Sequence, residues 1–190
     1  MKTKLLACFF ALVVLAQLWV PVSMIITSEN ALKKGKSFKF RTAPVDPYDA
    51  FRGKFVSLEF KAATIDSSDY SRIVDSSGAR PAYGKKLYAA IEEDSCGFAT
   101  IAKLHESKPA HNLFIPVTVI GSRRSTVRVS FPFTKYFLEE GKAKQAEQLY
   151  RQQNRSGKQD CYAIVRVGIN GHAVIEDLVL GGTEIMEALK

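Results

Sequence analysis

Histidine and cysteine are scarce in this 190-residue chain, with three of each and a single tryptophan. His105, His111 and His172 are too dispersed for two of them to share a face with a cysteine or carboxylate, as a zinc site requires, so no metal site is expected. There is no Gly-x-Ser-x-Gly nucleophile elbow and no glycine-rich loop ending in Lys-Ser or Lys-Thr; Gly168-Ile169-Asn170-Gly171 and Gly181-Gly182 read as turns. No internal repeat is visible. These absences remove the common hydrolase and nucleotide-binding signatures and imply no cofactor and no catalytic residue. Acidic residues are also missing from positions 1–28.

What fills that acid-free stretch is a run of 22 uncharged residues, Leu5 to Ile26, in which only Gln17, Pro21 and Ser23 fall outside the apolar set. As a helix rising 1.5 Å per residue, such a run spans the roughly 30 Å hydrocarbon core of a bilayer. A cleaved signal peptide competes with this reading, since Lys2 and Lys4 form a positive leader. The run is longer than a signal core of about 7 to 15 residues, and Val20-Pro21-Val22-Ser23 is a poor cleavage site, so an uncleaved anchor is expected. Lys2 and Lys4 then hold the N-terminus inside, Trp19 lies toward the far interface, and the remainder faces outward, which for a Gram-negative cell means the periplasm.

The net charge of +8 drops to +6 without Lys2 and Lys4. Lys33, Lys34, Lys36, Lys39 and Arg41 follow the anchor, and Arg123, Arg124 and Arg128 form a second cluster. Such clusters attract anionic lipid head groups or envelope polymers, although a solvated face is the simpler account. No aromatic-basic module suggests a nucleic-acid partner. Cys8 sits in the apolar run as a small buried residue. Cys96 and Cys161 are allowed to form a disulfide in an oxidising compartment; a thiol at a turn and a buried thiol is the equal alternative.

Beyond the anchor the sequence predicts helix to Gly35, a natural C-cap, and then strands. Strands are expected at 37–43 and 54–61, followed by a polar surface excursion over 62–83 with one helical turn at 69–74. Lys86–Glu92 with Gly97–Leu104, Phe114–Ile120 with Thr126–Phe131, and Ala163–Gly168 with Ala173–Leu178 read as three hairpins. The last carries the Asn170-Gly171 pair that is the strongest short-range hairpin signal. Residues 142–155 are rich in Ala, Gln, Glu, Lys and Leu and predict one soluble helix with a thin apolar stripe of Ala143, Ala146, Leu149 and Tyr150. The expected architecture is α+β: a membrane anchor and helical stalk over 1–35, then a mainly antiparallel β domain over 36–190 with about seven or eight strands and one soluble helix. The aromatics of 131–137 are expected to be core at a strand-to-helix corner rather than a recognition patch.

The densest turn chemistry lies between the first two strands, where Pro44, Pro47 and Gly53 accompany Asp46, Asp49 and Arg52. Arg41, Asp46, Asp49 and Arg52 are close enough in sequence to converge as a carboxylate and guanidinium site for a polar ligand. Side-chain capping of the turn explains the same residue types and is preferred. The segment that follows, Phe51-Arg-Gly-Lys-Phe-Val-Ser-Leu-Glu-Phe60, resembles the GDYXXLXY signature of a family of membrane-anchored bacterial proteins, with Pro44, Pro47, Gly53 and Leu58 at matching places. Phe133–Gly141 is similar to that family's aromatic second block, and the final hairpin with Asp177-Leu178 to its third. Lys54 stands where the family has aspartate, and Phe55 and Phe60 stand where it has tyrosine, which favours a structural role for the block.

The resemblance implies an anchored β-rich domain and names no reaction. Its members are suggested to act beside polytopic membrane proteins. The expectation is therefore a membrane-anchored periplasmic accessory protein that contacts inner-membrane lipid and works with an integral membrane partner. A ligand-binding or hydrolytic domain acting on a cell-envelope substrate is the alternative.

Overall fold

A computed structural model describes residues 2–43, 55–66, 81–110, 113–123, 126–138, 141–142, 145–146, 148–149 and 161–188. Helix α1, Lys2–Lys34, takes up the apolar run and continues past it. Pro21 removes one helical N–H, and the hydroxyls of Ser23 and Thr27 return to the backbone by donating to Val20 O and Ser23 O, both at 2.7 Å. Beyond Ile26 the helix becomes polar, with Lys33 and Glu29 paired at 3.1 Å across one turn. Gly35 closes it through a bond from its N–H to Ala31 O of 2.8 Å. Glycine ends the helix as expected, but the reason is close approach rather than a left-handed cap. A Cβ there would sit 2.3 Å from Ala31 O and 3.0 Å from the Val167 carbonyl, whereas the positive-φ glycines lie elsewhere.

Among the described residues twelve strands follow: β1 Lys36–Ala43, β2 Phe55–Ser57, β3 Glu59–Phe60, β4 Thr64–Asp66, β5 Lys86–Glu93, β6 Ala99–His105, β7 Phe114–Ser122, β8 Thr126–Ser130, β9 Lys135–Phe137, β10 Tyr162–Val167, β11 Ala173–Leu180 and β12 Thr183–Glu184. They form a five-stranded sheet ordered β12-β11-β10-β1-β3, a second five-stranded sheet ordered β4-β8-β7-β5-β6, and a two-stranded sheet of β2 and β9, with every strand pair antiparallel. The three predicted hairpins are all present. The strand total rises because the 54–61 strand divides at Leu58 into β2 and β3, and because β4, β9 and β12 are two or three residues long, too short to display a period of two.

The surface excursion expected from residue 62 begins instead inside the fold. A 3-10 turn, Lys61–Ala63, carries the chain from β3 in the first sheet to β4 in the second, and Ile65 of β4 is buried. The helical turn expected at 69–74 lies outside the described residues. Lys39 of β1 and Phe98 form a parallel bridge that brings the β6 edge beside the first sheet. Alternate residues point inward: on β10 Ala163, Val165 and Val167 are buried while Tyr162, Ile164 and Arg166 are partly exposed. One core cluster draws on both large sheets, with Phe40, Val165 and Leu178 from the first and Leu87, Ile115 and Val129 from the second. Of the expected soluble helix, residues 141–142, 145–146 and 148–149 are helical, with Ala146 buried and Leu149 packed on the core. A last helical turn, Ile185–Ala188, buries Ile185.

Candidate functional site

Three sequence blocks 40 to 120 residues apart meet at one place, and that junction is the best-built feature of the domain. Along the first block Val56, Leu58 and Phe60 are buried, as their alternation predicts, and the Leu58 N–H donates to Thr134 O at 2.9 Å. The second block supplies β9, whose Tyr136 faces Val56 and whose Phe137 faces Phe55, with these last two rings edge-to-face at 5.7 Å. Lys135 lies over Phe55 at 4.6 Å. The Tyr136 hydroxyl then donates to Asp177 Oδ1 at 3.3 Å, and the same oxygen accepts the Leu178 N–H at 2.7 Å, which ties in the third block.

Behind the junction Phe40, Phe60, Phe131 and Phe133 form a box in which every pair of rings is in contact, with centroids 5.1 to 6.0 Å apart. Phe131 and Phe133 are buried, as expected for core residues, whereas Phe137 at the end of the same run is exposed. Phe60 lies in this apolar box, where its ring packs edge-on and no hydroxyl is called for. Pro44, Asp46, Pro47, Asp49, Arg52, Gly53 and Lys54 lie outside the described residues.

Burial and the adjacent Asp177 carboxylate push the Tyr136 phenol up to about 12. Its neutral form is favoured by folding, so the stabilisation is complete below pH 10 and is lost as pH rises through 12. Tyr136→Phe should therefore remove part of the stability loss seen between those limits. Unfolding midpoints in urea across that range, with the phenolate difference spectrum of the two proteins, measure it; identical curves would place the phenol in water.

Arg41 is the one member of the charged-turn group that the structure describes. It lies on β1 with its guanidinium 4.0 Å from the centroid of Phe98, whose ring packs edge-to-face on Tyr162 at 5.7 Å. Across from it Asp94 closes the β5–β6 turn, accepting the N–H groups of Phe98 at 2.9 Å and Cys96 at 2.8 Å. The bond from Phe98 does most to lower the Asp94 carboxyl; desolvation opposes it, and the bond from Cys96 and the Arg41 charge add to the lowering. Arg41, Lys61, Asp66 and Asp94 line an open cleft of about 250 Å³. Sequence reasoning identified Arg41 but missed Phe98, Lys61 and Asp94; only the Asp-Ser-Cys-Gly turn signal at 94–97 marked that place.

A larger cleft of about 440 Å³ borders the first block, with Leu58, Phe60, Ile120 and Phe131 among its apolar lining and Glu59, Lys61 and Arg128 among its charged lining. Glu59 and Arg128 stand 3.8 Å apart and are both about half exposed, a pairing of little energetic weight. Cys96 is exposed in the β5–β6 turn and Cys161 is buried at the start of β10, and their sulfurs are not bridged. Among the described residues no group of three or more His, Cys, Asp or Glu side chains is arranged to hold a metal.

Comparison with known proteins adds one match. The family model described as GDYXXLXY protein matches residues 17–178, a span that begins inside α1 and includes all three blocks. No curated protein and no solved structure matches the chain.

Proposed function

The chain belongs to the GDYXXLXY family, and on that premise we propose that it is a single-pass inner-membrane protein whose residues 36–190 form a periplasmic domain acting as an accessory to a polytopic membrane partner. One observation carries the membrane part. Phe9–Lys34 of α1 is long and apolar enough to cross a bilayer, and Phe9, Phe10, Leu15 and Trp19 are all more than two-thirds exposed. An apolar helix that finds no cover within its own molecule needs cover from lipid or another protein. Lys2 and Lys4 keep the N-terminus cytoplasmic, while the large folded domain crosses regardless of the basic residues near it. The accessory role is supported by a domain that invests its family blocks in structure: the first block forms core and sheet, the second pairs with it, and the third accepts its tyrosine hydroxyl.

Cys96 supplies the test of orientation, because it is exposed on the domain. A membrane-impermeant maleimide is expected to modify Cys96 in intact spheroplasts, with Cys96→Ser removing the signal. Labelling that appears only after lysis would place the domain in the cytoplasm and overturn the proposal.

The cleft beside Arg41 favours a second reading, a domain that binds a polar envelope ligand. Its charges converge from β1, the 61–63 turn, β4 and the β5–β6 turn rather than from one local segment. Under that reading alanine at Arg41, Asp46 and Arg52 abolishes function in a complementation assay while the unfolding midpoint is retained; under the accessory reading function and stability fall together or neither changes.

A further inference from the structure

The tip of the β10–β11 hairpin reaches down the outside of α1 to the level where its apolar run ends. Ser28 Oγ and His172 Nε2 are 3.1 Å apart, and Thr27, Asn30, Ala31 and Lys34 share a cleft of about 380 Å³ with Gly168, Ile169, Asn170 and His172. Ile26 is the last residue of the apolar run, so at 1.5 Å per residue Ser28 lies about 3 Å beyond it and Lys34 about 12 Å beyond it. A lipid head-group layer is roughly 5 to 8 Å deep on each side of the hydrocarbon. The hairpin tip thus falls in that layer whenever α1 spans the bilayer.

The tip presents a residue suited to that layer. Ile169 is 86 % exposed, the most exposed large apolar side chain of the described residues, although it sits in a turn whose other members are glycine and asparagine. The tip also packs against the helix. Ala31 is buried, a Cβ on Gly168 would lie 3.7 Å from the Ala31 Cβ, and the turn is closed by bonds from Gly168 N–H to His172 O and from Gly171 N–H to Gly168 O, both 2.9 Å. Arg166, fixed by Glu176 at 2.7 and 3.0 Å, reaches Gly35 O at 3.5 Å from the same hairpin.

We propose that the β10–β11 tip is a second membrane contact, with Ile169 inserted at the boundary between lipid head groups and acyl chains, so that α1 and the hairpin together fix the tilt of the domain over the bilayer. A lone helix leaves the domain free to rotate and lean about the stalk. Two contacts side by side remove most of that freedom, and they orient the first block and the cleft it borders away from the lipid. β1 runs from Lys36, paired with Val167 next to α1, to Thr42, paired with Phe60, and six residues of strand put the first block about 20 Å further out.

This placement rests on the reading of α1 as a membrane-spanning helix, and the chain's single tryptophan separates the two claims. Full-length protein is reconstituted in vesicles of phosphatidylcholine and phosphatidylglycerol. Trp19 in the native sequence should be quenched by lipid carrying a nitroxide on its acyl chain. In a Trp19→Phe, Ile169→Trp protein the new indole should be blue-shifted and quenched by head-group nitroxide roughly twofold or more above a Trp19→Phe, Phe137→Trp control, whose reporter is exposed at the far end of the domain. Quenching of Trp19 together with an Ile169→Trp signal no deeper than the Phe137→Trp control would overturn the tip contact alone. Failure to quench Trp19 would overturn the spanning helix, and the tip contact with it.

Discussion

Phe40→Ala is expected to lower the unfolding free energy by about 3 to 5 kcal/mol, the range for removing a fully buried phenylalanine. Phe40 has no exposed surface, sits in the middle of β1, and touches Phe60, Phe131 and Phe133 edge-on at 5.7, 5.4 and 5.3 Å. The substitution removes apolar area and also three ring contacts, each worth about 0.5 to 1.5 kcal/mol beyond area in favourable geometry. The surrounding rings come from two separate segments and cannot collapse into the space without shifting β3 and the 131–133 corner toward β1. A domain with ordinary stability of about 5 to 15 kcal/mol would lose a large share of it. Denaturant unfolding of the full chain in detergent measures the change. Phe40→Leu, which refills part of the volume, should cost less than half as much, and equal losses for the two variants would mean that the refilled volume contributes nothing and that the cost lies in the ring contacts.

Gly171→Ala is expected to cost about 2 to 4 kcal/mol, from two independent causes. The residue has φ of 78°, where a Cβ costs about 1 to 2 kcal/mol. A Cβ there would also lie 2.4 Å from Phe114 Cε2 and 3.0 Å from Phe114 O, so the hairpin would have to lift from β7. Gly84 isolates the first cause, since its φ is 79° and a Cβ there meets nothing within 4 Å. Gly84→Ala should therefore cost only the conformational part. Phe114→Leu should recover part of the loss in the Gly171→Ala background while harming the native sequence, because Phe114 itself is buried. Equal costs at Gly84 and Gly171 would show that the approach to Phe114 is not energetically significant. Because His172 follows directly and contacts Ser28, lifting the hairpin should also loosen the seat of α1.

The hairpins and α1 were legible because their instructions are local. Asn170-Gly171 carries its turn geometry in two residues, and the alternation in β8 or β10 persists long enough to fix a face. The junction of the three blocks was not. β2 and β9 are three residues each and lie about 80 positions apart, so neither their pairing nor the reach of Tyr136 to Asp177 leaves a periodic trace. Arg41 illustrates the middle case. Its basic character and nearness to the Pro-rich turn were evident, but its aromatic partner is set by the Lys39–Phe98 bridge, a contact between sheets that no local pattern encodes.

By itself, then, the sequence determined the apolar helix, the antiparallel hairpins and membership of the family, because uninterrupted hydrophobicity, turn residues and short motifs act over a few neighbouring positions. Tertiary structure alone decided which blocks meet, that the phenylalanines of the second block split between core and surface, and that the Asn170-Gly171 turn rests on both Phe114 and α1. Those outcomes depend on burying side chains from distant segments in one shared volume, and that constraint exists only once the two sheets have closed on each other.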